Sequence, residues 1–332
     1  SKVAEFDFSE KFGDGWDWTW QVPRADFDKT LSDDLEAKGV LIHFETEVVS
    51  AIRKSGIWEV IFQNKDGKKS QIQAQFIIDS SGNGRVLAKQ LNFEAPPQIS
   101  GNSSLFTQIQ DTNRLPGKDG ELISFEILNT RTWFWYIPFS NGNSSLGFVG
   151  PSEIFKSNSE NLKDIFKRLL KETDNYKDRF DEADFIFEPV LTENISQNVK
   201  KTYGEAFALT GNSAEFLDPV FSSGVAFATE SGLLAAKLAY REINGEQVNW
   251  QEEYEAYIKR GVDVFATYVK HWYSGKLQRI LFHDNPNKLI KKQICAVLAG
   301  YVWDIKNPFV RNREKMLDHL IDIIEKENIQ TH

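Results

Sequence analysis

The sequence predicts an α/β fold interrupted by an inserted β-rich region, and three features carry this prediction. Residues 70–78 read as a strand that runs into the glycine-rich turn 79–85 and then into a helix, the form of a nucleotide-contacting βα junction. A second buried strand, 205–210, leads through a loop into a helix of small and apolar residues over 225–240. Between these junctions the chain changes to longer β-rich stretches. We therefore expect a nucleotide-binding domain that is split by an α+β insertion.

Residue spacing predicts the elements that precede the insertion. Residues 24–39 are expected to form a helix, because Phe27, Leu31 and Leu35 recur at helical spacing and Gly39 suits a C-cap. Alternating apolar residues then predict strands. These strands span 41–52, 57–63 and 70–78, with a turn at Asn64–Gly67 before the last of them.

The same patterns divide the rest of the chain. Strands are expected at 104–110, 121–128, 131–138 and 144–149, with a helix at 159–172 and a helical tail over 250–332. We predict four parts. They are the first part of the nucleotide-binding domain at 1–97, a β-rich substrate domain at 98–200, the second part of the nucleotide-binding domain at 201–245, and a C-terminal helical region at 246–332.

Composition excludes several classes of function. The net charge is −9 over 332 residues and the pI is about 5.3, which argues against a nucleic-acid binder because that function needs a basic surface. No apolar run is long enough to predict a membrane span. Cys295 is the single cysteine and the five histidines are scattered, so we expect neither a disulfide framework nor a metal site. We expect a cytoplasmic protein.

The segment Trp133-Phe-Trp-Tyr-Ile-Pro138 is a candidate for an aromatic wall. If it is a strand, alternation places Trp133 and Trp135 on one face and Phe134 and Tyr136 on the other. Two indoles on one side could line a site for a flat aromatic ligand. The alternative is an ordinary core strand, which the sequence by itself leaves open.

The loop 216–224 is a candidate for binding an anion or a cofactor. It starts a helix near Ser223, and a helix N-terminus presents free backbone N–H groups at the positive end of the helix dipole. Asp218-Pro219 fixes the preceding turn, and Gly224 would let a ligand approach the backbone closely. The alternative is a plain N-capped helix in which Ser222 or Ser223 supplies the cap.

The order of these segments resembles that of FAD-dependent monooxygenase-type flavoproteins, and specifically the flavin-dependent halogenase branch. The run Trp133-x-Trp135-x-Ile137-Pro138 matches the WxWxIP signature of that branch. Asp218-Pro-Val-Phe-Ser-Ser-Gly-Val225 is similar to the loop of halogenases that act on phenols, pyrroles and carrier-bound substrates. The likeness runs from about Gly15 to Trp303.

Three further segments resemble FAD-contacting parts of that family. Gln21-Val-Pro-Arg24-Ala-Asp-Phe27-Asp28 resembles the arginine-containing helix start near the FAD, and residues 79–85 resemble the second FAD-contacting turn. Gly211-Asn212 stands in the place of the family's Gly-Asp pair, and an amide can still hydrogen-bond a ribityl hydroxyl. The resemblance implies a Rossmann-like FAD/NAD(P)-binding domain.

The resemblance also implies a cofactor, partners and residue roles. The cofactor would be FAD, reduced by NAD(P)H directly or through a flavin reductase, and the partners a halide ion and a small aromatic or carrier-protein-bound substrate. The catalytic residues would be Trp133, Trp135, Ser223 and Gly224. The cofactor would be held by Arg24, Asp79, Gly82, Gly211, Asn212, Asp218, Pro219, Gly224 and Val225. Trp133, Trp135 and Phe221 would line the substrate pocket.

The sequence also departs from the family pattern. It contains no GxGxxG, so we expect the first βαβ unit, with its pyrophosphate loop and the family's catalytic lysine, to lie outside it. Phe221 stands where tryptophan-specific members carry a glutamate, which disfavours tryptophan as substrate. Two alternatives stay open: an FAD-dependent reductase or dehydrogenase of a lipid or polyene, like the geranylgeranyl reductases, and a fragment without catalytic activity.

Overall fold

The computed structural model describes residues 2–99, 101–157 and 159–330, and it has the predicted α/β architecture with an inserted sheet. The first third of the chain holds helix α1 and strands β1 to β4, followed by helix α2 and strand β5. Their bounds are α1 Arg24–Ala37, β1 Thr46–Lys54, β2 Ile57–Asn64, β3 Lys69–Ala74, β4 Ile77–Asp79, α2 Val86–Gln90 and β5 Glu94–Ala95.

The insertion supplies a larger antiparallel sheet and one helix. The bounds are β6 Asn102–Gln110, β7 Ser124–Asn129, β8 Thr132–Pro138, β9 Asn143–Pro151, α3 Leu162–Leu170 and β10 Val190–Thr192. Among the described residues these strands form one sheet in the order β10-β6-β9-β8-β7. All five fall inside the predicted β-rich domain 98–200, whose boundaries stay a prediction.

The chain then pairs again with β4 and β5 from its first third and ends in helices. Short strands come first, at β11 Asn198–Val199, β12 Tyr203–Gly204 and β13 Phe207–Leu209. The helices are α4 Gly224–Ile243, α5 Ala256–Tyr273, α6 Lys276–Leu281, α7 Lys288–Leu298, α8 Pro308–Arg311 and α9 Arg313–Gln330. A π-helical turn, Gln251–Glu255, leads directly into α5.

Two short parallel strands position the candidate site. β13 pairs with β4 in parallel register, with Leu209 opposite Asp79, and β12 extends this sheet on the other side of β13. Because both strands run the same way, the glycine-rich turns that follow them emerge at the same edge. In open α/β sheets ligands bind at this carboxyl edge.

The insertion sheet separates two apolar cores. Trp133 of β8 belongs to a core cluster shared with α4, α5 and α7. Phe134 and Tyr136 belong to a different cluster, which they share with Phe148 of β9 and Phe166 of α3. The predicted alternation of β8 is therefore confirmed: its tryptophans face the helical core, and the intervening aromatic residues face the other side of the sheet.

Two predicted strands differ clearly from the observed elements. The strand predicted at 70–78 is wrong as a single element, because the chain leaves one sheet after Ala74 and enters another at Ile77. Phe76, between the two strands, stacks on Trp250 at 5.2 Å between ring centroids. The strand predicted from residue 41 begins at Thr46, since Glu45 adopts a left-handed conformation with φ 49°.

The helix predicted at 24–39 is observed as α1, but its apolar residues do not face a core. Leu31 and Leu35 are 48% and 45% exposed, and no residue of α1 is buried. Helical spacing specifies that these side chains share a face, and it does not specify what covers that face.

Candidate active site

The turn after β4 is built around the side chain of Asp79. One carboxylate oxygen accepts the backbone N–H of Ser81 at 2.8 Å, and the other accepts that of Leu87 in α2, also at 2.8 Å. Asp79 is 6% exposed, so these bonds hold the glycine-rich turn against the start of α2. Within the turn, Gly82 has φ +58°, a left-handed conformation that glycine adopts without strain.

The turn after β13 lies beside it. Thr210 N–H donates to the backbone oxygen of Asp79 at 2.9 Å, and Asn212 Nδ2 lies 3.4 Å from Asn83 Oδ1 of the first turn. Gly211 has φ +53°, and a Cβ there would fall 3.1 Å from the Cβ of Ala228 in α4. A side chain at Gly211 would thus be strained and crowded, so glycine lets the turn pack closely on α4. The two candidate turns, 79–85 and 211–213, therefore lie side by side at the carboxyl edge of the β4–β13 strand pair.

The loop that follows is shaped by Asp218. Its carboxylate caps a 3₁₀ turn, Pro219–Phe221, by accepting the backbone N–H of Val220 at 3.0 Å. Pro219 opens this turn at a position where a missing N–H costs nothing, and Ser222 closes it in a left-handed conformation with φ 51°. The loop then enters α4 at Gly224, where a Cβ would fall 3.2 Å from Cε2 of Phe216.

The N-terminus of α4 has no side-chain cap. Ser223 occupies the N-cap position, but its backbone is helical (φ −76°, ψ −14°) and its side chain makes no capping hydrogen bond. The alternative of a serine-capped helix is therefore wrong for Ser223, because a helical N-cap residue does not turn its hydroxyl back toward the first-turn N–H groups. A 20-residue helix with an uncapped first turn offers N–H donors and a positive dipole end to an anion.

The two tryptophans of β8 lie side by side. The centroids of Trp133 and Trp135 are 5.9 Å apart. Trp133 is buried, whereas Trp135 is half-buried and donates its Nε1–H to the hydroxyl of Ser145 at 3.1 Å. Across the sheet, Gly147 leaves room for the Trp135 ring. The two indoles of this predicted aromatic wall lie on one face of β8, and their role as the wall of a ligand site stays a prediction.

A polar chain links this wall to the loop before α4. Trp133 Nε1 donates to the hydroxyl of Tyr273 at 3.1 Å, and that hydroxyl donates to Asp218 Oδ2 at 2.8 Å. Asn102 Nδ2 reaches the same carboxylate oxygen at 3.3 Å. Tyr273 ends α5 and lies 140 residues from Trp133 along the chain, so no local pattern in the sequence marks this contact.

Burial governs the ionisation of Asp218 and Tyr273 in this row of hydrogen bonds. Asp218 is 1% exposed, and burial raises its pKa to about 6 against the opposing hydrogen bonds from Tyr273, Val220 and Asn102. Burial, and then the nearby Asp218 charge, raise the pKa of Tyr273. The phenol therefore stays protonated and keeps its hydrogen for Asp218 across the ordinary pH range.

Aromatic side chains from α5 pack around Phe221. Phe221 stacks on Phe265 at 5.9 Å between centroids and meets Tyr268 and Trp272 edge-on. Trp272 also meets Trp133 edge-on at 6.4 Å. The predicted pocket residues Trp133 and Phe221 are thus joined through an α5 residue, and among the described residues the buried Trp272 Nε1 has no hydrogen-bond partner.

Two predicted cofactor residues lie at the surface. Arg24, the first residue of α1, forms a two-point ion pair with Asp28 at 2.9 and 3.0 Å, and both side chains are more than half exposed. Val225 is exposed in the first turn of α4. Their assignment to the cofactor stays a prediction.

Glu215 is a titratable group in the candidate site that sequence reasoning missed. Burial raises its pKa to about 7, a hydrogen bond from Gln98 at 2.8 Å opposes that shift, and the charge of Asp263 adds to it. It lies between the turn 211–213 and Phe216. A partly buried carboxyl of this kind cannot be recognised from sequence, because burial depends on distant elements.

Two further features concern metals and membranes. Within residues 2–99, 101–157 and 159–330, no group of three or more His, Cys, Asp and Glu side chains could hold a metal ion. In the same ranges no helix combines the length and the apolar character that crossing a bilayer requires.

The turns described above suit a nucleotide cofactor. Two glycine-containing turns meet at the carboxyl edge of a parallel strand pair, and an uncapped helix N-terminus follows them directly. This combination defines a nucleotide-cofactor enzyme whose aromatic wall belongs to the neighbouring sheet. Residues 4–293 match the model of the tryptophan halogenase family, and the chain belongs to that family.

Known relatives agree with this assignment. The chain is 24% identical to the 1H-pyrrole-2-carbonyl-[peptidyl-carrier protein] chlorinase of Pseudomonas fluorescens, over 97% of this chain and 72% of that protein. It is 27% identical to the tryptophan 2-halogenase of Chondromyces crocatus, over 87% of this chain and 59% of that protein. The predicted flavin-dependent halogenase-like kinship is confirmed, and with it the expectation of FAD as cofactor.

Solved structures agree on the fold. A crystal structure described as a flavoprotein/dehydrogenase from Cytophaga hutchinsonii superimposes with a TM-score of 0.95 at 39% identity, covering 98% of this chain and 80% of that one. The flavin-dependent brominase Bmp2 superimposes with a TM-score of 0.78 at 19% identity, over 93% of this chain and 77% of that one. The predicted fold class is confirmed.

Proposed function

We propose that this protein is an FAD-dependent enzyme of halogenase type that acts on an electron-rich aromatic or carrier-bound small molecule. The observation that carries the proposal is the link between the uncapped N-terminus of α4 and the tryptophan wall of β8, made by Asp218, Tyr273 and Trp133. An anion site and an aromatic wall held together in this way suit a reaction that needs both a halide and an aromatic ring.

The predicted residues other than Arg24 and Val225 each have a role in this proposal. FAD, when bound and reduced, supplies the electrons with which oxygen is activated. The backbone N–H groups of Ser223 and Gly224 hold the halide at the positive end of α4. The two turns at the strand edge hold the cofactor; their residues are Asp79, Gly82, Gly211 and Asn212. The loop residues Asp218 and Pro219 set the position of the helix start.

The substrate side is apolar. Trp133, Trp135 and Phe221 line it and exclude water, which strengthens the attraction between the N–H groups and the halide. Relatives in the family are named as acting on carrier-bound pyrrole and on tryptophan. Phe221 and its aromatic neighbours favour a neutral ring over a zwitterionic amino acid, because an apolar wall cannot compensate buried charges. A flavin reductase as electron donor and a cytoplasmic location belong to the same proposal.

The test is a product assay with the full-length gene product. The protein would be supplied with FAD, NADH, a flavin reductase, and bromide or chloride, together with pyrroles and phenols offered free and carrier-bound. We expect a product mass that contains one halogen, with the isotope pattern of the halide supplied. A hydroxylated or reduced product with no halogen would contradict the proposal, and a reduced polyene would favour the reductase alternative instead.

A further inference from the structure

Tyr273 joins three parts of the chain through a single oxygen atom. It ends α5, its hydroxyl accepts the indole N–H of Trp133 from β8, and it donates to Asp218 in the loop before α4. The distances are 3.1 and 2.8 Å, both within the range of well-formed hydrogen bonds. Since the hydroxyl has one hydrogen and gives it to Asp218, its lone pairs are free to accept from Trp133.

The carboxylate at the far end of this chain determines the shape of the loop. Asp218 Oδ1 accepts from the Val220 N–H, which fixes the turn Pro219–Phe221. Oδ2 accepts from Tyr273 and Asn102, so Asp218 is held from α5 and β6 at once. A carboxylate with 1% exposure keeps one orientation only while its acceptor positions are satisfied.

We propose that Tyr273 is a positioning residue that sets the first turn of α4 against the tryptophan wall by bridging Trp133 and Asp218. The expected effect of Tyr273 on halide binding rests on the function proposed above. The bridge, meaning the two hydrogen bonds that join Trp133 to Asp218 through Tyr273, does not depend on that function. Loss of the hydroxyl leaves Trp133 Nε1 and Asp218 Oδ2 each short of one partner inside a dry core. The loop 218–224 then relaxes relative to β8, and the anion site loses its fixed place.

The first test compares two conservative variants on the same helix. Tyr273→Phe removes the bridging hydroxyl and keeps the ring. Tyr257→Phe is the matched control, because Tyr257 also lies on α5 and donates to a carboxylate, that of Glu230 at 2.9 Å. With ¹⁵N-labelled tryptophan and valine in the FAD-loaded protein, Tyr273→Phe is expected to shift the Trp133 indole N–H and the Val220 and Val225 amide signals. Tyr257→Phe leaves all three unchanged.

The second readout is functional. The change in flavin absorption on adding bromide is expected to need about three- to tenfold more bromide in Tyr273→Phe, the range that a typical single hydrogen bond contributes. The hydrogen bond from Tyr273 lowers the pKa of Asp218, so this pKa should be higher in the variant. As the pH falls and Asp218 is protonated, the variant should therefore lose its bromide response at a higher pH than the parent protein does. Tyr257→Phe keeps the parent response.

The outcomes separate this proposal from the proposed function. Unchanged Trp133, Val220 and Val225 signals in Tyr273→Phe would overturn the bridge, and shifted signals with an unchanged bromide response would overturn its positioning role. If the parent protein shows no bromide response, the proposed function fails while the bridge is judged on the signals. If Tyr273→Phe does not fold, the parent protein serves: its Trp133 indole signal should titrate with the Asp218 carboxyl, near pH 6, and a signal that does not titrate overturns the proposal.

Discussion

Gly147 is the cross-strand partner of Trp135, and a Cβ built on Gly147 would lie 2.3 Å from Cη2 of that indole ring. The absence of a side chain at one position of β9 therefore determines where the half-buried tryptophan of the wall can lie. The neighbouring cross-strand pair is different, because Trp133 lies opposite a valine, Val149. Both of these side chains are buried in the helical core.

We expect Gly147→Ala to displace the Trp135 ring. Overpacking of this kind costs about 1–3 kcal/mol of unfolding free energy. Urea unfolding would measure that cost, and a changed tryptophan emission would report the displaced ring. The double variant Gly147→Ala/Trp135→Leu should recover most of the loss, because a smaller side chain relieves the clash. A Gly147→Ala protein with parent stability and emission would contradict the packing described for Trp135.

Gly224→Ala is expected to weaken the response to halide while FAD still binds. A Cβ at Gly224 lies 3.2 Å from Phe216 Cε2 and also takes up space beside the first N–H groups of α4, where an anion would approach. Bromide titration of the flavin absorption would measure the effect, with an expected loss of about threefold in apparent affinity, which corresponds to roughly 0.7 kcal/mol.

The control for this variant is Gly232→Ala in the same helix. A Cβ at Gly232 has nothing within 4 Å, so it cannot disturb the site, and alanine favours a helix interior over glycine. Gly232→Ala should keep the parent halide response and unfold at an equal or higher urea concentration. Equal weakening of the halide response in both variants would argue that the N-terminus of α4 is not the anion site.

Glu215 should make stability depend on pH in a defined direction. Burial raises its pKa from 4.5 to about 7 in the folded protein. The folded state then binds a proton more tightly than the unfolded state, so this contribution to stability is fully present below pH 4.5 and is lost as the pH rises through 7. For one proton the slope cannot exceed about 1.4 kcal/mol per pH unit.

The measurement is urea unfolding of the parent protein and of Glu215→Gln over this pH range. The stability of the parent relative to the variant should fall between pH 4.5 and 7 and level off above that. The polar and charged groups near Glu215 are Gln98, Asp263 and Lys259, and all three are retained in the variant. A relative stability that stays flat across this window would show that the pKa of the Glu215 carboxyl is not raised in the folded protein.

A buried carboxylate on the other side of the insertion sheet should contribute strongly to the stability of the fold. The Asp111 side chain is fully buried, and its Oδ2 accepts from the hydroxyls of Tyr136 at 2.8 Å and Ser144 at 2.7 Å. Arg179 also reaches this oxygen, at 3.3 Å. Asp111→Ala would leave the Arg179 charge without this partner and should cost about 3–5 kcal/mol of unfolding free energy.

Chemical unfolding of Asp111→Ala would measure this cost. Lys163→Ala, which breaks an ion pair with Glu188 at 3.0 Å, provides the comparison. Lys163 and Glu188 are both well exposed, so solvent screens their attraction. The loss of unfolding free energy in Lys163→Ala should therefore be far smaller. Equal effects of the two variants would contradict the structural role assigned to Asp111.

The parts of this site that could be predicted from sequence are those set by local geometry. The alternation of β8 assigns Trp133 and Phe134 to opposite faces whatever lies on those faces, because the side-chain period of a strand is two residues. The turns after β4 and β13 could be predicted for the same reason, since glycine, proline and aspartate determine local backbone shape. The resemblance to a known family then supplied their chemistry.

The contacts that link distant segments could not be predicted. Tyr273 lies 55 residues from Asp218 and 140 from Trp133, and no local pattern marks it among the aromatic residues of α5. The raised pKa of Glu215 also depends on Gln98 and on α5, which are far away in sequence. The break after Ala74 was missed because the apolar pattern continues through Phe76, although the chain changes sheets there.

The most direct test of the central claim is an absorption titration of the full-length protein with FAD, followed by bromide, in the parent protein and in Gly224→Ala. We expect one flavin bound per chain in both proteins, and a bromide-dependent change of the flavin spectrum that is weaker in Gly224→Ala. A protein that binds no flavin, or a flavin spectrum that bromide leaves unchanged in the parent protein, would contradict it.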